Sequence, residues 1–218
     1  MNNIIHALLS IPKTIFFNFR IFKFKDAIRF PILISFKCRI KKIYRNCIKI
    51  NAPVSFAMIR IGFGATACVP ITSSTLLITR PGILTFSGKA VFGEGINIRN
   101  NGTIFFGDGF CCNANARITC GSSISIGNNV LIGWNSSIRD SNGHAISQGG
   151  VQIPDNKPVF IGDHVWIGAE AHILRGTSIN NDSVVGFGSI VASQFPQTNV
   201  IIAGNPAKVI KDNIEWKA

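Results

Sequence analysis

The sequence predicts an all-β fold: a parallel β-helix of triangular section, preceded by a basic N-terminal cap and followed by a short tail. Three observations carry this. From Ile161 an aliphatic residue recurs every six positions, at Ile161, Ile167, Ile173, Ile179, Val185 and Val191. Four places after each stands Val165, Ala171, Thr177, Ser183, Ser189 and then Phe195, mostly small residues. The same phase returns upstream in three sets, Phe86-Phe92-Ile98, Phe106-Cys112-Ile118 and Ile126-Ile132-Ile138, each starting 20 residues after the last. An ordinary alternating strand is a weak rival, because period two does not predict a repeat of six. Each six residues make one short strand and a corner. The aliphatic side chain fills the interior, the small one sits where the corner is tight, and successive coils bury each other's apolar surface.

The elements follow in order. Residues 1–60 hold 12 of the 22 Lys+Arg and a single acid, Asp26, whereas residues 61–218 are nearly neutral. All 21 glycines start at Gly62. The changeover divides the chain into a basic cap (1–60), a β-helix (61–205) and a tail (206–218). Residues 1–50 interleave Phe and Ile with Lys and Arg and show no six-residue phase, so they are expected to be helical or irregular, covering the open first coil. Their chemistry suits an anionic membrane surface better than nucleic acid, since no nucleic-acid-binding motif is visible. A solvated basic face on a packed cap is the plain alternative. Met1 to Ile11 lacks a basic start and a cleavage site, and the uncharged stretch 61–79 is broken by Gly62, Gly64 and Pro70; a cytoplasmic protein, peripheral at most to the inner face of the membrane, is expected. A 46% apolar and 15% charged composition excludes a disordered chain.

The series has one long break. From Ile138 to Ile161 the chain leaves the coil as an excursion over 139–159, and long loops on rigid scaffolds tend to carry function. The cysteines Cys38, Cys47, Cys68, Cys111, Cys112 and Cys120 include no C-x-x-C pair and are expected to be reduced packing residues.

Three runs, NNVLIGWNSSIRDSNGHAI, KPVFIGDHVWIGAEAHILRGTSINNDSVVGFGSIVAS and VIIAGNPAKVI, resemble the hexapeptide-repeat acyltransferases. They are most similar to the branch holding maltose and galactoside acetyltransferases and bacterial capsule or lipopolysaccharide O-acetyltransferases. The resemblance covers roughly residues 84–211. It implies a left-handed coil, acetyl-CoA as cosubstrate, no metal, a homotrimer with active sites between subunits, and a sugar or glycolipid acceptor. It puts His144 in the place of the catalytic base. An imidazole can take the proton from a sugar hydroxyl as it attacks a thioester. Asp140, four residues earlier, is the candidate to orient that ring, although Asn142 replaces the second acid of a D-x-D-x-H pattern; a turn residue is its other reading.

Asn113 matches an acceptor-binding asparagine, and Trp134 is a candidate wall for the acceptor; an Asn ladder and plain packing are the rival readings. Trp166 occupies the sixth, outward place of its repeat and needs a cover, from an interface, the loop or the pantetheine arm of CoA. Gly168, Ala169 and Gly186 would let the cosubstrate approach the backbone, although coil turns also demand glycine. Lys208 would meet the nucleotide end of CoA. A threonine–lysine pair common in relatives reads Ala192-Ser193 here, so a phosphate contact is expected to be missing.

Three alternatives remain open. A zinc hydratase sharing this prism would need His144, His164 and His172 around one metal. A serine or amino-sugar acetyltransferase would differ in its N-terminal region. A non-catalytic trimeric scaffold would not require the His144 loop.

Overall fold

The computed structural model describes residues 3–64 and 69–217. They form a three-faced left-handed parallel β-helix, with one helix across its first coil and one hairpin projecting from its side. The three faces carry nine, seven and seven strands, all parallel except the last strand of the first face. The six-residue aliphatics stack in three inner columns. On the first face Phe92 pairs in register with Cys112, Cys112 with Ile132 and Ile132 with Ile167; on the second, Ile98 with Ile118 and Ile138 with Ile173. These side chains are almost wholly buried.

The early coils are wider than the late ones. Phe92, Cys112 and Ile132 stand 20 residues apart, but Ile167 and Val185 only 18. The two extra residues per early coil add an inner position at the corner between the second and third faces. That column runs Ile78, Asn100, Cys120 and Asp140, all buried. The wider interior is filled by phenylalanines. Phe86 stacks on Phe106 with centroids 5.0 Å apart, and Phe92 meets Phe106 edge-on at 5.2 Å. The later, narrower coils are filled by Ile and Val.

The coil begins earlier than the charge and glycine patterns suggest. Strands β1 (Ile32–Ile34), β2 (Arg39–Lys42) and β3 (Ile48–Ile50) already form one turn of the three faces, pairing with Ile59–Ile61, Thr75–Ile78 and Ile83–Phe86. The boundary between cap and β-helix therefore falls near residue 31, not at 60/61. Irregular spacing hides this coil: Ile34 and Ile40 are six apart, but a bulge between Ile40 and Lys42 shifts the phase beyond it.

Ahead of it, helix α1 (Asn3–Ile21) lies against β1, followed by the short α2 (Phe24–Ala27). Among the described residues no strand pairs with the other side of β1, so its outward N–H and C=O groups need partners. Side chains of α1 supply them. Asn18 Nδ2 donates to the Ile32 carbonyl at 2.8 Å, and its Oδ1 accepts from Ile32 N at 3.2 Å. Thr14 Oγ1 accepts from Ile34 N at 3.2 Å, and Ser10 Oγ from Phe36 N at 3.0 Å. His6 Nε2 meets Ser35 Oγ at 2.7 Å. Residues 6, 10, 14 and 18 share one helical stripe because they are spaced by four.

At the other end the tail is a strand. Ala207–Lys211 turns back on Ile201–Gly204 and closes the first face antiparallel. Of the cysteines, Cys38, Cys47, Cys112 and Cys120 are buried and Cys111 half-buried, all as free thiols; Cys68 lies outside the described residues. Burial pushes the Cys38 thiol up to about 11 and the Cys120 thiol up to about 12.

Candidate active site

The excursion is an ordered arm. Ile146–Gln148 and Val151–Ile153 pair as an antiparallel hairpin, and a bridge between Ser141 and Asn156 closes its base. His144 sits before the hairpin, exposed, and makes no hydrogen bond within the described residues. The turn just ahead of it is held by a residue that the sequence did not single out. Asp155 Oδ1 accepts from Asn142 N at 2.9 Å and from Gly143 N at 3.0 Å. Gly143 adopts φ +85, which suits a residue without Cβ.

Asp140 has a different task from the one the D-x-N-x-H spacing suggests. It is fully buried, and its carboxylate accepts from three successive backbone amides, Gly121, Ser122 and Ser123, each at 2.7 Å. Cys120 Sγ lies 3.4 Å from Oδ2. Its oxygens are spent on the preceding coil, and no hydrogen bond joins it to His144. It anchors the root of the arm rather than orienting the imidazole.

Asn113, Trp134, Gly168, Ala169 and Gly186 fall together along the corner that follows the first face. Successive coils are tied there by Asn113 N to the Ile132 carbonyl (2.8 Å), Gly168 N to the Val185 carbonyl (2.8 Å), Glu170 N to the Trp134 carbonyl (2.9 Å) and Gly188 N to the Ala169 carbonyl (3.0 Å). Asn113 and Trp134 are half-buried, so each presents a partly open side chain. The glycines answer to the coil itself. A Cβ on Gly168 would lie 2.7 Å from the Val185 carbonyl oxygen, and one on Gly186 would lie 2.9 Å from the Ala203 Cβ. Stacking of the next coil, rather than an approaching cosubstrate, requires small residues there. The asparagine ladder occupies the next column instead: Asn115 Nδ2 donates to Asn135 Oδ1 at 3.1 Å, with both residues at positive φ. Phe187, in the same turn column as Trp134 and Ala169, is an exposed ring that sequence reading passed over.

Trp166 points outward as its repeat position requires and is 40% exposed. Part of its cover is the tail: the Trp216 ring lies 6.0 Å away, stacks on His164 at 4.2 Å, and donates from Nε1 to the His164 carbonyl at 3.0 Å. His164 also pairs with Asp182 at 2.9 Å. His172 is on another face, 2.7 Å from Ser137 Oγ. His144, His164 and His172 are thus dispersed, and no cluster of three metal-ligating side chains occurs among the described residues.

Lys208 is exposed on the closing strand, opposite Ala203. Beside Ala192, where the threonine–lysine pair is absent, other elements supply cations. Lys157 from the foot of the arm and Arg175 line a cavity of about 400 Å³ with Ala192 and Gln194. Arg175 Nη1 donates to the Pro154 carbonyl at 3.1 Å, which ties the arm to the coil.

The comparisons with known proteins bear on the repeats and the fold. Residues 158–193 match the bacterial transferase hexapeptide (six repeats), and residues 123–156 match the hexapeptide repeat of succinyl-transferase. These matches place hexapeptide repeats on two consecutive stretches of the prism, whose fold is a left-handed β-helix. Among curated relatives, a 2,3,4,5-tetrahydropyridine-2,6-dicarboxylate N-acetyltransferase of Clostridium perfringens is 45% identical over 67 residues, 31% of this chain and 28% of that protein. WbbJ of Escherichia coli K12, provisionally named a lipopolysaccharide biosynthesis O-acetyl transferase, is 46% identical over 57 residues, 26% of this chain and 29% of that protein. The chain spans under a third of the length of these relatives. Among solved structures, a point mutant of AntD, an N-acyltransferase from Bacillus cereus in complex with dTDP and coenzyme A, superposes with a TM-score of 0.50. It is 17% identical, and the match covers 83% of this chain and 80% of that one, which shows the shared fold.

Proposed function

We propose that the protein is an O-acetyltransferase that moves an acetyl group from acetyl-CoA to a sugar hydroxyl, with His144 as general base. The observation that carries this is the arm. It is anchored at its root by Asp140 and stiffened by Asp155, and it presents an imidazole with no hydrogen-bond partner among the described residues. A histidine so held is free to engage a substrate hydroxyl. The hydroxyl oxygen attacks the thioester carbon while its proton passes to the imidazole. The tetrahedral intermediate then expels the CoA thiolate, which recovers the proton from the imidazolium. Asn113 and Trp134 offer an amide and an indole face to the acceptor. In this reading Trp166 and Lys208 meet CoA, with Lys157 and Arg175 as additional cations for its phosphates. A cytoplasmic location goes with an acetyl-CoA donor in this reading. Assembly as a homotrimer is supported by the apolar exterior of the first face, where Val91, Leu131 and Trp166 share one column, and the named relative in lipopolysaccharide synthesis favours a surface-polysaccharide acceptor.

A second reading, N-acetyl transfer to an amino-acid intermediate, is favoured by the Clostridium relative. The test is CoA thiol release with a panel of sugar and dicarboxylic amine acceptors, using wild type and His144→Ala. Release that depends on a sugar and falls about 10²–10⁴-fold in the variant is expected. Release with the amine alone would replace the first reading by the second. Undiminished release in His144→Ala would remove the histidine from the chemistry.

A further inference from the structure

Helix α1 is mounted with its polar stripe inward. His6, Ser10, Thr14 and Asn18 are all buried, because they are spent on the edge of β1. Phe17 and Ile21 turn into the core with that stripe, and the remaining large apolar side chains face out. Leu8, Ile11, Ile15, Phe16 and Phe19 are each more than 40% exposed, and Phe24 beyond the helix is 72% exposed. This ridge runs into an apolar groove of about 390 Å³ floored by Phe30, Leu33 and Phe56. A soluble surface rarely carries so large a contiguous apolar patch without a partner.

The rim says what the partner is. Arg20, Lys23, Lys25 and Arg29 flank the ridge, are exposed, and form no ion pair among the described residues. The only acid in residues 1–60 is Asp26. An apolar ridge bordered by cations matches the boundary of an anionic leaflet, where rings enter between headgroups and cations stay at the phosphates. A second copy of this face would bring two such rims together.

We propose that this end of the prism docks on an anionic lipid leaflet, with α1 lying in the plane of the headgroups. By length and composition Ile4–Ile21 is apolar enough to cross a membrane. Crossing, however, would strip Asn18, Thr14 and Ser10 from β1 and reopen that edge, so the helix lies on the bilayer.

The test is flotation of the full chain with vesicles of phosphatidylcholine alone or mixed with phosphatidylglycerol, at low and high salt. Binding to the mixed vesicles that weakens with salt is expected. Lys23→Glu with Lys25→Glu is expected to weaken it about tenfold or more, and Phe16→Ser with Phe24→Ser to a similar degree. These positions are solvent-exposed, and thermal melts confirm that each variant is folded; a variant that melts early is replaced by Leu8→Ser with Ile15→Ser. Three results would overturn the proposal: no flotation on anionic vesicles, binding indifferent to both folded variants, or lipid-free self-association that the Phe variant abolishes, which would show that a second copy covers the ridge. Vesicle binding needs no acyl donor, so its failure and that of the acetyltransferase reading are separately visible.

Discussion

The two ends of the prism face the same difficulty, an open strand edge, and meet it with different chemistry. At the far end the chain turns at Asn205-Pro206 and lays Ala207–Lys211 on Ile201–Gly204, so backbone answers backbone. At the near end no strand among the described residues covers the edge, and the stripe of hydroxyl, amide and imidazole groups on α1 answers β1. A strand lid leaves its side chains free to be either polar or apolar outside. A helix lid that uses its polar stripe on the edge buries only the apolar residues beside that stripe, here Phe17 and Ile21, and turns the rest of its apolar surface to the surroundings. The ridge at the near end is thus a consequence of how the edge is satisfied.

The largest break in this comparison is Asn18→Leu. The asparagine is fully buried and bonds Ile32 N, the Ile32 carbonyl and the Thr14 carbonyl. Leaving the β1 groups unpaired costs about 2–4 kcal/mol, readable as a lower midpoint in urea unfolding with an unchanged slope. At the opposite end Trp216→Ala removes one hydrogen bond and a ring stack on His164, and is expected to cost about 1 kcal/mol. Equal effects would erase the distinction drawn between the two lids. The smallest effect is on pH. Burial holds the His6 imidazole below its usual range, although Glu94 at 3.6 Å pulls the other way. The folded state therefore favours the neutral ring. Its contribution is present above about pH 6.5, the unfolded value, and is lost as pH falls through the lower folded value. Wild type should lose unfolding midpoint below that point, and His6→Asn should show a flatter profile over the same window.

The repeat of six made the coils from Phe86 onward legible, because every inner position there carries the period in its own side chain. The first coil escaped since the bulge at Ile40 and long links between β3 and the next strands break the count. Asp140 was misread because its spacing to His144 suggested chemistry. The informative spacing ran backward, to Cys120 and Asn100 in the same column, 20 and 40 residues earlier. Asp155 left no local signal. Only the antiparallel closure of the arm brings it to Asn142 and Gly143. The cations beside Ala192 were likewise invisible, since Lys157 and Arg175 come from different elements.

The parallel stacking of coils also makes the prism a ruler. Ile40, Leu76, Ile98, Ile118 and Ile138 are successive rungs of one face, and the arm leaves just past the last of them. At about 4.8 Å per rung, four steps hold the root of the arm about 19 Å above the first coil. Removing one 20-residue rung would lower the arm by a single increment while leaving both ends chemically intact, so the height of the arm above the first coil comes only in whole rungs.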